Sequence, residues 1–277
     1  MKKASIFRSI SVLFGITAVL LLVLSGCKNA QQKQEGDADS TLIPESKEDV
    51  IEKLSGYPIP TSYEITELVY KAGAPYNLNL SNEPGKAEEY ITQRDKALNL
   101  GVFGTDLCYA STHAMKHYTM LYLESSKTLI DELGISTTFN INYAERIESN
   151  LDDRDSVIYI VTDLFYDTWS YMVENKQDVL ARLVVCGSWI EGIYITANIA
   201  NTSRDNTEFL EILANQKGSL EKLVTLMEPV KDLDEVTEVF KGLFDLQDIY
   251  EDVGDALTEE QLKMVLDKIN SLREAII

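Results

Sequence analysis

Residues 103–121 read FGTDLCYASTHAMKHYTML, and their apolar side chains follow the period of an α-helix. Apolar or aromatic side chains recur three or four positions apart at Phe103, Leu107, Ala110, Ala114, Tyr118 and Leu121. That spacing places them on one side of a helix, so they are predicted to form its buried face. We expect the helix to continue to Leu133 and to end at Gly134, because glycine often follows the last helical residue.

The long segment around this helix contains no proline. Five of the six prolines precede residue 85, and only Pro229 follows it. Residues 85–228 also lack Asn-Gly hairpin pairs and sustained strand alternation, which favours long helices. Capping-box patterns open predicted helices at Thr61–Glu64 and at Thr258–Gln261.

The helix pattern predicts one all-α bundle of about eight to ten helices, with long antiparallel helices between residues 85 and 275. The first helices are predicted at about 62–73 and 85–99, with a break at Gly101 before the helix that reaches Leu133. Later helices are predicted at about 139–149, 156–174, 177–202, 205–228, 231–252 and 259–275.

A second stripe of polar residues lies on the predicted helix at 103–133. It consists of Asp106, His113, His117, Glu124 and Asp131. Histidines four positions apart can bind one metal ion, to which Asp106 or Glu124 could add an oxygen ligand. The stretch lacks the glutamate that follows the first histidine in zinc hydrolases. We therefore predict no metal, no cofactor and no catalytic residue, and keep a metal-dependent envelope hydrolase using Asp106, His113, His117 and Glu124 as the alternative.

Two further patterns concern the thiols and a glycine-containing run. Cys108 and Cys186 lie in apolar helical contexts, which favours two buried free thiols over a disulfide between helices. The run 186–194, CGSWIEGIY, places two glycines inside an apolar helix, where each costs about 1 kcal/mol relative to alanine. Close helix packing is the favoured interpretation, and a ligand pocket beside Gly187, Trp189 and Gly192 is the alternative.

The amino-terminal residues have the pattern of a secretory signal peptide, with a basic start, an apolar run at 10–24 and small residues at a cleavage point. The run is shorter than the roughly 20 residues of a transmembrane helix. Leu24-Ser25-Gly26-Cys27 resembles the lipobox of bacterial lipoproteins. The resemblance implies that residues 1–26 are removed, that Cys27 carries a covalent diacylglycerol, and that its amine receives a fatty acid such as palmitate.

The lipobox resemblance also implies a layout and a compartment. Residues 27–47 are polar, without apolar periodicity, and are predicted to be a flexible tether before a single acidic helical domain at 48–277. Lys28 follows the lipidated position, where an aspartate would favour the inner membrane, so it indicates the outer membrane. The periplasmic side and the cell surface both remain open.

The charge of the chain limits its partners. The 277 residues carry a net charge of −20, and removal of the first 26 leaves 22 basic against 45 acidic residues, or −23. Like charges repel, so nucleic acid and anionic head groups are disfavoured as partners. We expect membrane association through the lipid anchor, with an envelope protein or a small ligand as the partner of the domain.

Residues 96–110 (KALNLGVFGTDLCYA), 129–135 (LIDELGI) and 188–192 (SWIEG) resemble a group of helical envelope lipoproteins of gut-type Gram-negative bacteria. The resemblance spans much of residues 60–275. It implies an all-helical lipoprotein and supplies no catalytic residues, because no activity is assigned to the group. The anchor-and-tether layout, together with the lack of a catalytic constellation in the sequence, favours a non-enzymatic binding or scaffold module as the function.

Overall fold

The computed structural model describes residues 62–135 and 142–277, which form ten α-helices and no β-strand. The helices are α1 (Ser62–Lys71), α2 (Gln93–Thr112), α3 (Lys116–Glu132), α4 (Asn142–Ser149), α5 (Arg154–Glu174), α6 (Asp178–Thr202), α7 (Thr207–Ala214), α8 (Lys217–Met227), α9 (Asp234–Tyr250) and α10 (Glu259–Glu274). Short 3₁₀ segments occupy Leu78–Leu80, Pro84–Glu89 and Glu228–Val230. The all-α prediction is confirmed. The signal peptide, Cys27 and the tether lie outside the described residues.

Helix α6 lies at the centre of the described helices. It packs most extensively against α2 and also contacts α1, α5, α7, α8 and α10. Its apolar side chains face neighbours on nearly every side, so it has no polar face of ordinary width. Helix α6 is long and apolar enough to cross a membrane, but 72% of its most apolar window is buried inside the protein. That burial is typical of a core helix.

Two glycines allow the backbones of α2 and α6 to touch. A Cβ atom on Gly187 would lie 2.0 Å from the carbonyl oxygen of Leu98, and one on Gly101 would lie 2.1 Å from that of Val184. Because the obstructing atoms belong to backbone, no side-chain rotation can make room. This contact is the close helix packing predicted for Gly187.

Buried hydroxyl groups connect α1, α2 and α6 beside the glycine contact. The Thr105 hydroxyl lies 2.8 Å from the Ser62 hydroxyl and 2.9 Å from the backbone carbonyl oxygen of Ser188. The Ser62 and Ser188 hydroxyls also contact each other. These small side chains provide hydrogen-bond partners for one another, and they are short enough to leave the helices in close contact.

The predicted break at Gly101 is wrong, because α2 runs straight through it and ends at Thr112. The helix predicted to continue to Leu133 is instead interrupted at residues 113–115. Ala114 has a positive φ of 55°, and the Met115 N–H donates to the carbonyl oxygen of Ala110 at 2.8 Å. The chain therefore turns between α2 and α3.

The interruption divides the predicted buried face. Phe103, Leu107 and Ala110 are buried as predicted, whereas Ala114 is exposed and Tyr118 and Leu121 are half-buried. Helix α3 buries a different set of side chains: Thr119, Tyr122, Leu123, Ser125, Ser126, Leu129 and Ile130.

Two other helix boundaries differ from prediction. Helix α2 begins at Gln93, not at 85, because the Thr92 side chain accepts a hydrogen bond from the Asp95 N–H and caps the helix. The helix predicted at 205–228 is two helices, α7 and α8, separated at Asn215–Gln216. By contrast, the predicted capping box of Thr258 and Gln261 opens α10.

Candidate functional site

The turn at residues 113–115 separates the residues of the predicted metal stripe. The two ring nitrogens of His113 lie 2.9 Å from the carbonyl oxygen of Tyr109 and 3.0 Å from that of Ala74. His117 and Glu124 are exposed on α3, whereas Asp106 is completely buried in α2. Within 62–135 and 142–277, no group of three or more histidines, cysteines or acids is placed to hold a metal ion.

The two described cysteines are free and buried, as the favoured interpretation predicted. Burial raises the pKa of the Cys108 thiol to about 12 and that of the Cys186 thiol to about 12. A thiol with such a pKa is almost entirely protonated at neutral pH, so neither residue is an activated nucleophile.

Atoms of the protein pack directly against the residues of the predicted ligand pocket. Gly187 contacts the α2 backbone, and a Cβ on Gly192 would meet the Ile65 side chain at 3.1 Å. The Trp189 side chain is 2% exposed, and its indole nitrogen has no hydrogen-bond partner. These contacts supply packing for α6, and the ligand pocket stays a prediction.

The most unusual site in the described residues is a buried charged cluster formed by Asp106 on α2, Glu191 on α6 and Arg273 on α10. Arg273 donates two hydrogen bonds to the Glu191 carboxylate, from Nε to Oε2 at 2.5 Å and from Nη2 to Oε1 at 2.9 Å. Paired planar groups of this kind form a strong and directional interaction. Asp106 and Glu191 are both 0% exposed. We call these three residues the buried triad.

Asp106 has weaker partners than Glu191. Its Oδ2 atom accepts a hydrogen bond of 3.0 Å from the backbone N–H of Asn82, whereas its Oδ1 atom has no partner. The hydroxyls of Ser81 and Tyr76 lie nearby, yet neither has a hydrogen-bond partner in good geometry. A buried carboxyl oxygen without a partner is costly, so the electrostatics of this site need an explanation.

Tyrosines enclose the buried triad. The Arg273 guanidinium lies 4.0 Å from the centre of the Tyr194 ring, and the Tyr122 hydroxyl donates to the carbonyl oxygen of Asn82 at 3.0 Å. Burial raises the pKa of Tyr90 to about 12, and it also raises the pKa values of Tyr76 and Tyr122. These hydroxyls stay protonated at neutral pH and add no charge to the cluster.

The two carboxyl groups perturb each other. Burial raises the pKa of Asp106 well above its usual range, and the negative charge of Glu191 raises it further. Burial also raises the pKa of Glu191, but the charge and hydrogen bonds of Arg273 oppose that rise. The arrangement therefore favours an ionised Glu191 beside a protonated Asp106.

Sequence reasoning did not predict the buried triad. Glu191 lies 85 positions after Asp106 and 82 positions before Arg273, so no local spacing connects the three residues. One signal was present, because Glu191 is the only charged residue in the apolar run 183–203. An isolated acid in a core helix requires a buried partner, although the sequence does not say which residue provides it.

The described surface also carries shallow grooves. One of about 350 Å³ lies between α8 and α9 and is bordered by Leu220, Phe244 and Asp248. The Phe244 side chain, which is 50% exposed, lines this groove. Its acidic lining residues Glu221, Asp248 and Glu251 are exposed to solvent, unlike the acids of the buried triad.

Comparison with known proteins assigns no function to either feature. No protein-family model, curated protein or solved structure matches this chain.

Proposed function

We propose that the chain is a lipid-anchored protein of the bacterial cell envelope whose helical body is a non-enzymatic binding or scaffold module. The observation that carries the proposal is Leu24-Ser25-Gly26-Cys27 directly after an apolar run. Each buried CH₂ group contributes about 0.8 kcal/mol to membrane binding, so the two or three acyl chains of a lipidated Cys27 would hold the protein durably. Lys28 favours the outer membrane as the site of anchoring.

The positions of the candidate metal ligands support a binding role more than the alternative of a metal-dependent hydrolase. Asp106 is enclosed with Glu191 and Arg273, whereas His117 faces solvent on a different helix. His113 directs both ring nitrogens at backbone carbonyl oxygens. A hydrolase would need these groups to converge on one accessible point, because catalysis requires the metal and the substrate to meet.

The net charge of −20 supports a partner other than nucleic acid. An envelope protein or a small ligand fits the proposal, with the membrane contacted through the lipid on Cys27. The acidic surface would also keep the body away from anionic head groups, since like charges repel across a Debye length of about 8 Å at physiological salt.

The anchor is tested by producing the full chain and its Cys27→Ala variant in a Gram-negative host supplied with labelled palmitate. We expect the parent to be labelled and to sediment with outer membranes, and the variant to lose the label and membrane attachment. Cys108→Ala is the matched control, because it removes a buried thiol and should keep the label. Labelling of Cys27→Ala at the parental level would refute the proposal.

The binding role is tested by cross-linking in intact cells followed by purification of the full chain. A specific protein or small molecule should copurify with the parent and should be reduced with Cys27→Ala, which removes the anchor. For the alternative, zinc is titrated into the parent and into a His113→Ala/His117→Ala double variant. Zinc binding lost in the double variant would favour the hydrolase, and equal affinity would exclude this stripe.

A further inference from the structure

The buried triad contains one more acid than base. The titratable and charged groups that face it are Tyr76, Tyr90, Tyr109, Tyr122, Tyr194 and Cys108, in addition to its own three members. Burial raises the pKa of each of these phenols and of the thiol, so all six are neutral at neutral pH. With both carboxyl groups ionised, the site would hold a net charge of −1.

Geometry distinguishes the two carboxyl groups. Both oxygens of Glu191 accept hydrogen bonds from the charged Arg273 side chain, which stabilises the anion. Asp106 receives a single hydrogen bond from a neutral backbone N–H, and its other oxygen has no partner. A proton on that Oδ1 atom would convert an unpaired acceptor into a donor and would also remove the excess charge.

We infer that Asp106 and Glu191 share one proton, carried on Asp106 Oδ1 and directed at the Glu191 carboxylate, so that the centre of the protein is a buried proton-binding site. Asp106 and Glu191 lie close enough for each carboxyl group to shift the pKa of the other, and the Ser81 hydroxyl borders the pair. Loss of the proton would leave an uncompensated negative charge where α2, α6 and α10 meet. The site would therefore couple the surrounding pH to the packing of the three helices, independently of the lipid anchor.

The test compares the full chain with its Asp106→Asn variant, in which an amide N–H replaces the proposed O–H without its ionisation. An aspartate in the unfolded chain titrates near pH 4. If Asp106 keeps its proton in the folded state, the folded protein loses stability relative to the unfolded chain as the pH rises above that value. We expect the folding equilibrium constant of the parent to fall about tenfold per pH unit relative to that of the variant above about pH 5. At pH 8 the variant should be at least as stable as the parent.

The matched control is Asp245→Asn, which changes the same functional group at a partly exposed ion pair with Lys268. It should retain the pH dependence of the parent. A ratio of folding constants between parent and Asp106→Asn that does not change from pH 5 to pH 8 would overturn the inference.

Infrared spectroscopy provides a second measurement that does not depend on the variant folding. At pH 7 the parent should show the carbonyl stretch of a protonated carboxylic acid, because exposed carboxyl groups are ionised at this pH. Asp245→Asn should keep this band, and folded Asp106→Asn should lack it. A parent spectrum without a protonated carboxyl at pH 7 would contradict the shared proton.

Discussion

Glu191 brings a negative charge into the middle of the longest described helix, where desolvation costs several kcal/mol unless the charge is paired. Arg273 provides the pairing through two hydrogen bonds and lies against the ring of Tyr194. Because both partners are buried, the contribution of each depends on the presence of the other. At the residue scale, this ion pair connects the core helix to the last helix of the chain.

The two acids of the buried triad should respond differently to the same kind of change. Glu191→Gln leaves the Arg273 charge buried without its counterion, so we expect a loss of about 3–5 kcal/mol in unfolding free energy. Urea denaturation at pH 7 measures the loss. Asp106→Asn, which keeps the hydrogen-bonding shape of a protonated carboxyl, is the comparison. If Glu191→Gln were tolerated and Asp106→Asn were the costly change, the negative charge would have been assigned to the wrong residue.

The buried thiols give a second prediction at this scale. Cys108 and Cys186 should react with an alkylating reagent at pH 8 only when the protein opens, because a pKa of about 12 leaves few thiolates and burial excludes the reagent. Mass spectrometry of timed samples should show slow modification that accelerates in parallel with unfolding as urea is added. Rapid modification of either cysteine in the absence of urea would contradict the described burial.

At the scale of helices, the contact between α2 and α6 depends on the absence of side chains at two positions. Gly187→Ala places a methyl group against the Leu98 carbonyl oxygen, so we expect it to cost at least about 1–3 kcal/mol. Thermal denaturation or urea titration measures the change.

The matched control for the helix contact is Gly218→Ala in α8, where an added Cβ meets no atom within 4 Å. This substitution should stabilise the protein by up to about 1 kcal/mol, since alanine favours the helix more than glycine does. Equal effects of the two substitutions would show that the helices are not in backbone contact at Gly187.

The turn between α2 and α3 can be tested by a substitution that has opposite effects in a turn and in a helix. Ala114 has a φ of 55°, a conformation that costs a residue with a side chain about 1–2 kcal/mol. Ala114→Gly removes that strain and should leave the unfolding free energy unchanged or raise it by up to about 1 kcal/mol. In the uninterrupted helix predicted from the sequence, the same change would lower the free energy by about 1 kcal/mol.

Helix termini show which parts of this fold were predictable. The Thr258 and Gln261 side chains form the capping box that their spacing predicts, because capping is a local interaction. The Gly101 prediction failed because the glycine serves a contact with residues more than 80 positions away. The sequence does not predict the positive φ of Ala114, because alanine is a residue that favours helices. The cluster of Asp106, Glu191 and Arg273 was missed for the same reason as the glycine contact, because tertiary structure alone brings its members together.

At the scale of the whole molecule, the proposed organisation is an acidic helical body connected to a membrane through Cys27. The described core is built around α6 and contains none of the residues of the proposed anchor. The proposed proton site lies in the core, and the proposed lipid lies at the amino terminus. An experiment that refutes one proposal therefore leaves the other untouched.

Lipidation of Cys27 is tested by the intact mass of the protein extracted from membranes, combined with fragmentation of its amino-terminal peptide. We expect a chain that begins at Cys27 and carries a diacylglyceryl group together with an amide-linked acyl chain. Cys27→Ala should lack this mass. A membrane-extracted chain that begins at Met1, or one that begins at Cys27 without lipid, would show that Cys27 is not the lipid anchor.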